Sequence, residues 1–195
     1  EMGEIGLFGY VYGGTIKNVT VENGNVTGWD RVGGIVGYVE NGFVDNCSFS
    51  GSVTGVSFEG SSDDIGGIAG LLLRSSIQDC KNTGDIIGDA FSSGVGGIAG
   101  EINMWDDDID DYSMRNCINE GTVTGGTYTG GVIGTSSVWL EGCVNTGSVR
   151  GISEIVGDFS GYIGGIAGFQ GYNMLNCVNT GNVTGMADKV GGMPE

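Results

Sequence analysis

Five cysteines, one dense run of aspartates and a scattered set of aromatic side chains are the groups in this sequence with chemistry to offer. Histidine is absent, which removes the commonest general base and the commonest metal ligand, and with them Ser-His-Asp and Cys-His catalysis and an HExxH zinc site. The acidic run Trp105-Asp106-Asp107-Asp108-Ile109-Asp110-Asp111-Tyr112 is dense in carboxylates. Ca²⁺ is held by oxygen-rich loops, so a structural calcium ion on Asp106, Asp107, Asp108, Asp110 and Asp111 is one reading. The spacing favours a solvated acidic loop instead: counted from Asp106, the Gly and the Glu that an EF-hand needs are both missing.

The aromatic residues gather in one part of an internal repeat: Tyr10 and Tyr12, Tyr38, Trp105 and Tyr112, Trp139, Phe169 and Tyr172. If successive copies stack, these side chains line one edge, and an aromatic strip with polar tips suits sugar rings. The competing expectation is that alternate members point inward as stacked core residues. Cys47, Cys80, Cys117, Cys143 and Cys177 share a single phase of the repeat, with Val19 at that place in the first copy. An odd number at equal phase is unlike a disulfide scaffold and reads as a column of buried, free thiols. Bridging between adjacent copies is sterically open, and metal binding is the remotest of the three readings. Thr27, Thr54, Thr124 and Thr184 form a further column, broken by Ile87 and Arg150, and express a strand preference.

These groups are positioned by the repeat itself. Residues 32–55 read VGGIVGYVENGFVDNCSFSGSVTG and residues 65–88 read IGGIAGLLLRSSIQDCKNTGDIIG, a match without gaps. Further copies occupy 95–125, 129–151 and 163–185; a diverged copy covers 4–28, and another begins at 190. Self-similarity at a fixed period outranks local propensity as a guide to fold. Each unit has short β-favouring runs punctuated by Gly or Asn, and none has an apolar helical period. The fold class expected is all-β: a single-stranded parallel β-helix, or β-solenoid, of about six coils in one domain, right-handed, with three short strands per coil. Valines, isoleucines and cysteines then form a shared core that no single coil could bury. The inward residue and the cysteine three places later cannot both face inward on one strand, so a corner falls between them. Asn46, Asn116 and Asn176 suit it, because Asn tolerates left-handed backbone angles. The double glycines serve either positive φ or close approach of one coil to the next.

Composition narrows the function classes. Seven Lys plus Arg against 24 Asp plus Glu give a net charge of −17, which repels phosphate backbones and anionic membrane surfaces, so nucleic acid is not an expected partner. No apolar stretch approaches the length of a membrane-crossing helix. The 42 glycines with one proline exceed what an ordinary domain contains, while a hydrophobic fraction of 39% is too high for a disordered linker.

The GGIAG followed by NCxNTGxVTG in the copy at 163–185, and by the variant DCKNTGDIIG in the copy at 65–88, resembles the GLUG motif, and Gly6-Leu7-Phe8-Gly9 is similar to the core from which that motif takes its name. The resemblance implies a secreted or cell-surface repeat region, as found in bacterial adhesin-like proteins and immunoglobulin A1 peptidases. It does not imply peptidase activity, since the zinc motif of such peptidases has no counterpart here. The expected function is a non-enzymatic surface module, an adhesin-like stalk or ligand-display region. It would carry no cofactor beyond a possible structural calcium, and its partners would be a glycan, a host surface or matrix protein, and flanking domains of a longer chain. A carbohydrate-active β-helix enzyme is the alternative, and it would need paired carboxylates at a fixed separation.

Overall fold

The computed structural model describes residues 3–56, 62–104, 112–152, 161–185 and 189–191. Among them every regular element is a strand and every strand pair is parallel and joins equivalent positions of successive repeats. The copies are therefore coils of a parallel β-solenoid, and stacked positions rise by about 4.8 Å per coil.

Four sheets run along the solenoid, not the three expected from sequence. The first comprises Asp30–Gly33, Ser62–Gly66, Ser92–Gly96, Thr127–Gly130, Tyr162–Gly164 and Lys189–Gly191. The second comprises Phe8–Tyr12, Val36–Glu40, Ala69–Leu73, Ala99–Asn103, Ile133–Ser136 and Ala167–Gln170. The third holds Thr15–Lys17, Phe43–Asp45, Ser76–Gln78, Ser113–Arg115, Trp139–Glu141 and Met174–Leu175. The fourth begins with the long strands Thr20–Gly28 and Ser48–Gly55, and from the third coil onward each strand is split, as in Ile118–Asn119 and Val123–Gly125.

The extra sheet arises at the double glycine, where the chain bends instead of running through. A Cβ on Gly96 would overlap the carbonyl oxygen of Ala99 in its own coil, the mark of a tight turn. A Cβ on Gly97 would overlap both the Gly131 carbonyl of the next coil and the side chain of Asn119. A Cβ on Gly100, the last glycine of the motif, would strike the backbone of Asp64 and Ile65 in the coil before. None of these three has positive φ, so close approach is the operative reason. The corner before the cysteine does use left-handed backbone: Asn46, Asn116 and Asn176 have φ of 49°, 50° and 53°, as the sequence led us to expect.

The core is a set of one-residue-wide columns. Val44, Ile77, Met114 and Leu140 are fully buried in the third sheet, and Val53, Ile86, Val123 and Val149 in the fourth. Each such side chain contributes about 1.5–3 kcal/mol relative to exposure. The thiols form a further column: Cys47, Cys80, Cys117 and Cys143 are buried, Cys177 is half-buried, and all five are free. Burial pushes the Cys117 thiol well up, and its hydrogen-bonded neighbours Cys143 and Cys80 act in the same direction.

A buried amide ladder accompanies the thiols. Asn82 Nδ2 donates to Asn119 Oδ1, Asn119 to Asn145 and Asn145 to Asn179, each at 2.8 Å. The same nitrogens, and that of Asn179, donate to the carbonyls of Gly84, Gly121, Gly147 and Gly181 respectively, at 2.8–3.0 Å. This satisfies the side chains where the fourth sheet is interrupted. It also links the two ends of the repeat motif, since the second glycine of each pair leaves room for the ladder: a Cβ on Gly67 would lie 2.6 Å from Asn82 Cγ. Phe49 fills the ladder position in the second coil and packs against Gly34.

Candidate functional site

Of the aromatic residues picked out in the sequence that the structure describes, Tyr10, Tyr12 and Phe169 are exposed, while Tyr38, Tyr112, Trp139 and Tyr172 are half-buried, Tyr112 packing against the core. None of these is fully buried, and Phe49 is the large aromatic side chain that the core contains among the described residues. They do not form one edge. Tyr10 and Tyr38 stack in the second sheet with ring centroids 4.9 Å apart, but the same column continues through Leu71, Glu101 and Thr135 before reaching Phe169. Tyr12 pairs with Glu40 one column away, and Trp139 lies round the corner in the third sheet. Trp105 and the aspartates Asp106, Asp107, Asp108, Asp110 and Asp111 lie outside the described residues. Among the described residues no cluster of three or more Cys, Asp or Glu is arranged to hold a metal.

Three surface groupings result. At the first coils, the Tyr10 and Tyr38 hydroxyls both donate to Glu40 Oε2, at 2.8 and 3.2 Å, and Arg74 pairs with the other oxygen. The hydrogen bond from Tyr10 holds the Glu40 carboxyl below its usual range, while burial, followed by the charge of Glu40, pushes the Tyr38 phenol up to about 12. Arg31 lies over the Tyr38 ring, 5.1 Å from its centroid, and bonds Glu4 at 3.0 Å. The platform's hydroxyls and carboxylates are thus engaged with one another, while Arg31 Nε is buried without a partner.

The second grouping lies where the first sheet meets the second. Arg31, Asp64 and Tyr128, all with φ near +50°, occupy equivalent positions. Tyr128 stacks on Tyr162 at 5.4 Å and meets Phe169 edge-on at 6.0 Å. Between the aromatic ends, Asp64 shares a hydrogen bond with Glu101; burial first, then the charges of Glu101 and Asp63, push the Asp64 carboxyl well up. A hydrogen-bonded carboxyl pair is closer than the roughly 5–5.5 Å or 6.5–9.5 Å separations of glycosidase acids.

The third grouping is a groove of about 280 Å³ on the third sheet, lined by Tyr112, Arg115, Trp139, Glu141 and Leu175. Strand pairing sets its floor, placing Trp139 beside Ser113, Arg115 beside Glu141 and Glu141 beside Leu175. Tyr172 meets the Trp139 ring edge-on at 5.4 Å and fixes its plane. Arg115 and Glu141 face each other loosely, with Nε and Oε2 3.6 Å apart and both side chains about half exposed. Sequence reading named Tyr112, Trp139 and Tyr172 but missed Arg115, Glu141 and Leu175. The signal was present: Lys17, Asp45, Gln78, Arg115, Glu141 and Leu175 share one repeat phase, and twice there a cation stacks on a carboxylate, Lys17 on Asp45 and Arg115 on Glu141.

Fold and surface together define a parallel β-solenoid repeat protein. The family model of the GLUG motif matches residues 31–54 and 61–87, so these two segments are GLUG-like repeats. Among solved structures, the fold is similar to that of a "putative immunoglobulin A1 protease" from Bacteroides ovatus, with a TM-score of 0.66 and 20% sequence identity. The superposition covers 97% of this chain but 65% of that protein, and at such identity it speaks for the fold alone. No curated protein matches the chain.

Proposed function

We propose that this chain is a non-enzymatic module of a secreted or cell-surface protein, a rigid, adhesin-like spacer that binds glycan through the groove at Trp139. The groove carries the reading. It joins a half-exposed indole ring, held in plane by Tyr172, to a charged pair able to bond hydroxyls, the combination of apolar face and few polar groups that recognises small ligands. GLUG repeats and the fold neighbour support the surface setting. The acidic surface speaks against nucleic acid and anionic membranes as partners.

The test is a glycan and matrix-protein array probed with the whole chain and with Trp139→Ala, alongside a scan for polysaccharide cleavage. Binding that disappears in the variant, without product, is the expected result. Unchanged binding by Trp139→Ala moves the site elsewhere. Cleavage products would instead support a carbohydrate-active enzyme, with a carboxylate pair other than Asp64 and Glu101, which stand too close for that chemistry.

A further inference from the structure

Resting on the glycan-binding reading, we infer that the Trp139 groove selects neutral pyranosides with adjacent free hydroxyls over acidic sugars. The argument starts from the charged pair. Lys17–Asp45, Arg31–Glu4 and Lys81–Glu120 close at 2.6–3.0 Å, whereas Arg115 and Glu141 stand 3.6 Å apart and engage through Nε alone. Among the described residues neither side chain bonds any other group. Guanidinium nitrogens only donate and carboxylate oxygens only accept. A hydroxyl does both, so two neighbouring hydroxyls can accept from Arg115 and donate to Glu141 while the pair stays neutral overall. The C–H face of the same ring then rests on Trp139, the stacking that an indole offers an apolar surface.

An anionic sugar meets the opposite situation. Its carboxylate or sulfate would claim Arg115 only by displacing Glu141, leaving that carboxylate beside another negative charge, on a chain whose net charge is −17. Size sets a further limit, since a groove of about 280 Å³ falls just below the usual range of ligand pockets, roughly 300–1,000 Å³. It takes one ring, so affinity rests on that ring's hydroxyls rather than on a long chain.

The experiment is calorimetric titration of the whole chain with two sets of oligosaccharides of matched length: neutral glucans, mannans and galactans, and their acidic counterparts, polyuronates and sulfated or sialylated chains. The wild type should bind at least one neutral set ten-fold or more tightly than any acidic one. Glu141→Gln, which keeps size but removes charge, should lose ten-fold or more toward the neutral ligand and narrow the gap to the acidic ones. Circular dichroism checks that the variants are folded. Tighter binding of acidic chains that still requires Trp139 overturns the selectivity and leaves the glycan reading standing. A Glu141→Gln variant within two-fold of wild type also overturns it. Binding of neither class removes both.

Discussion

Replacing Asn119 is the sharpest test of how the solenoid is held together. Its side chain is fully buried, accepts from Asn82 at 2.8 Å, and donates to Gly121 O and Asn145 Oδ1, each at 2.8 Å. Asn119→Ala deletes three hydrogen bonds at about 1 kcal/mol each. It also leaves buried groups without a partner, at about 1–3 kcal/mol for each that water cannot reach. A loss of about 3–5 kcal/mol is expected, a large share of the 5–15 kcal/mol typical of a folded domain. Asn119→Asp separates bonding from packing because it keeps the shape and exchanges the donating nitrogen for an acceptor aimed at two other acceptors. At neutral pH it should cost more than the alanine, since a buried charge is added. Burial raises the folded-state pKa of that new carboxyl above the unfolded value near 3.9. Its penalty is therefore complete above the folded pKa and relieved as pH falls toward 4, whereas the alanine penalty should not follow pH. Urea denaturation between pH 4 and 8 measures both. Amide exchange localises the effect to the coils on either side, because repeat proteins open by neighbouring units. An alanine variant within 1 kcal/mol of wild type, or an aspartate variant without acid rescue, would refute the ladder as a source of cohesion.

Further outcomes follow from the same geometry. Asp64 has a raised folded-state pKa, so stability is fullest below the unfolded value and falls as pH rises through the window up to the folded pKa. Asp64→Asn should raise the neutral-pH melting temperature and flatten that slope, and Asn also suits the left-handed backbone there. In native protein, iodoacetamide should label Cys177 well before Cys47, Cys80, Cys117 and Cys143, which react only on unfolding; peptide mass mapping reads the order. Gly100→Ala, whose Cβ falls on the backbone of the preceding coil, should cost about 3 kcal/mol or more. Gly13→Ala, at φ +65° with nothing within 4 Å, should cost only about 1–2 kcal/mol of conformational strain.

What could be read in the sequence was phase, and what could not was the path between phases. The thiol column, the broken threonine column Thr27, Thr54, Ile87, Thr124, Arg150 and Thr184, and the asparagine corners all follow from a constant offset to a neighbour only a few residues away. Such offsets survive because parallel pairing in register makes a one-residue slip turn a whole core face outward. The fourth sheet was hidden because V-G-G-I has the composition of a continuous strand, and the bend at Gly96 shows only when its would-be Cβ meets Ala99 O. The amide ladder was hidden for a related reason. Asn119 reads as one more turn residue until Gly97, in a distant part of the same repeat, is seen to leave room for it. The aromatic residues failed as a single edge because they stand at different distances from the double glycine. Tyr38 follows Gly34 by four residues and belongs to the second sheet, whereas Trp139 follows Gly131 by eight and has already passed a corner into the third. A shared stretch of the repeat is therefore not a shared column. The groove at Trp139 depends on that difference: it sets an indole ring beside the Arg115–Glu141 pair that stacking in the third sheet brings together.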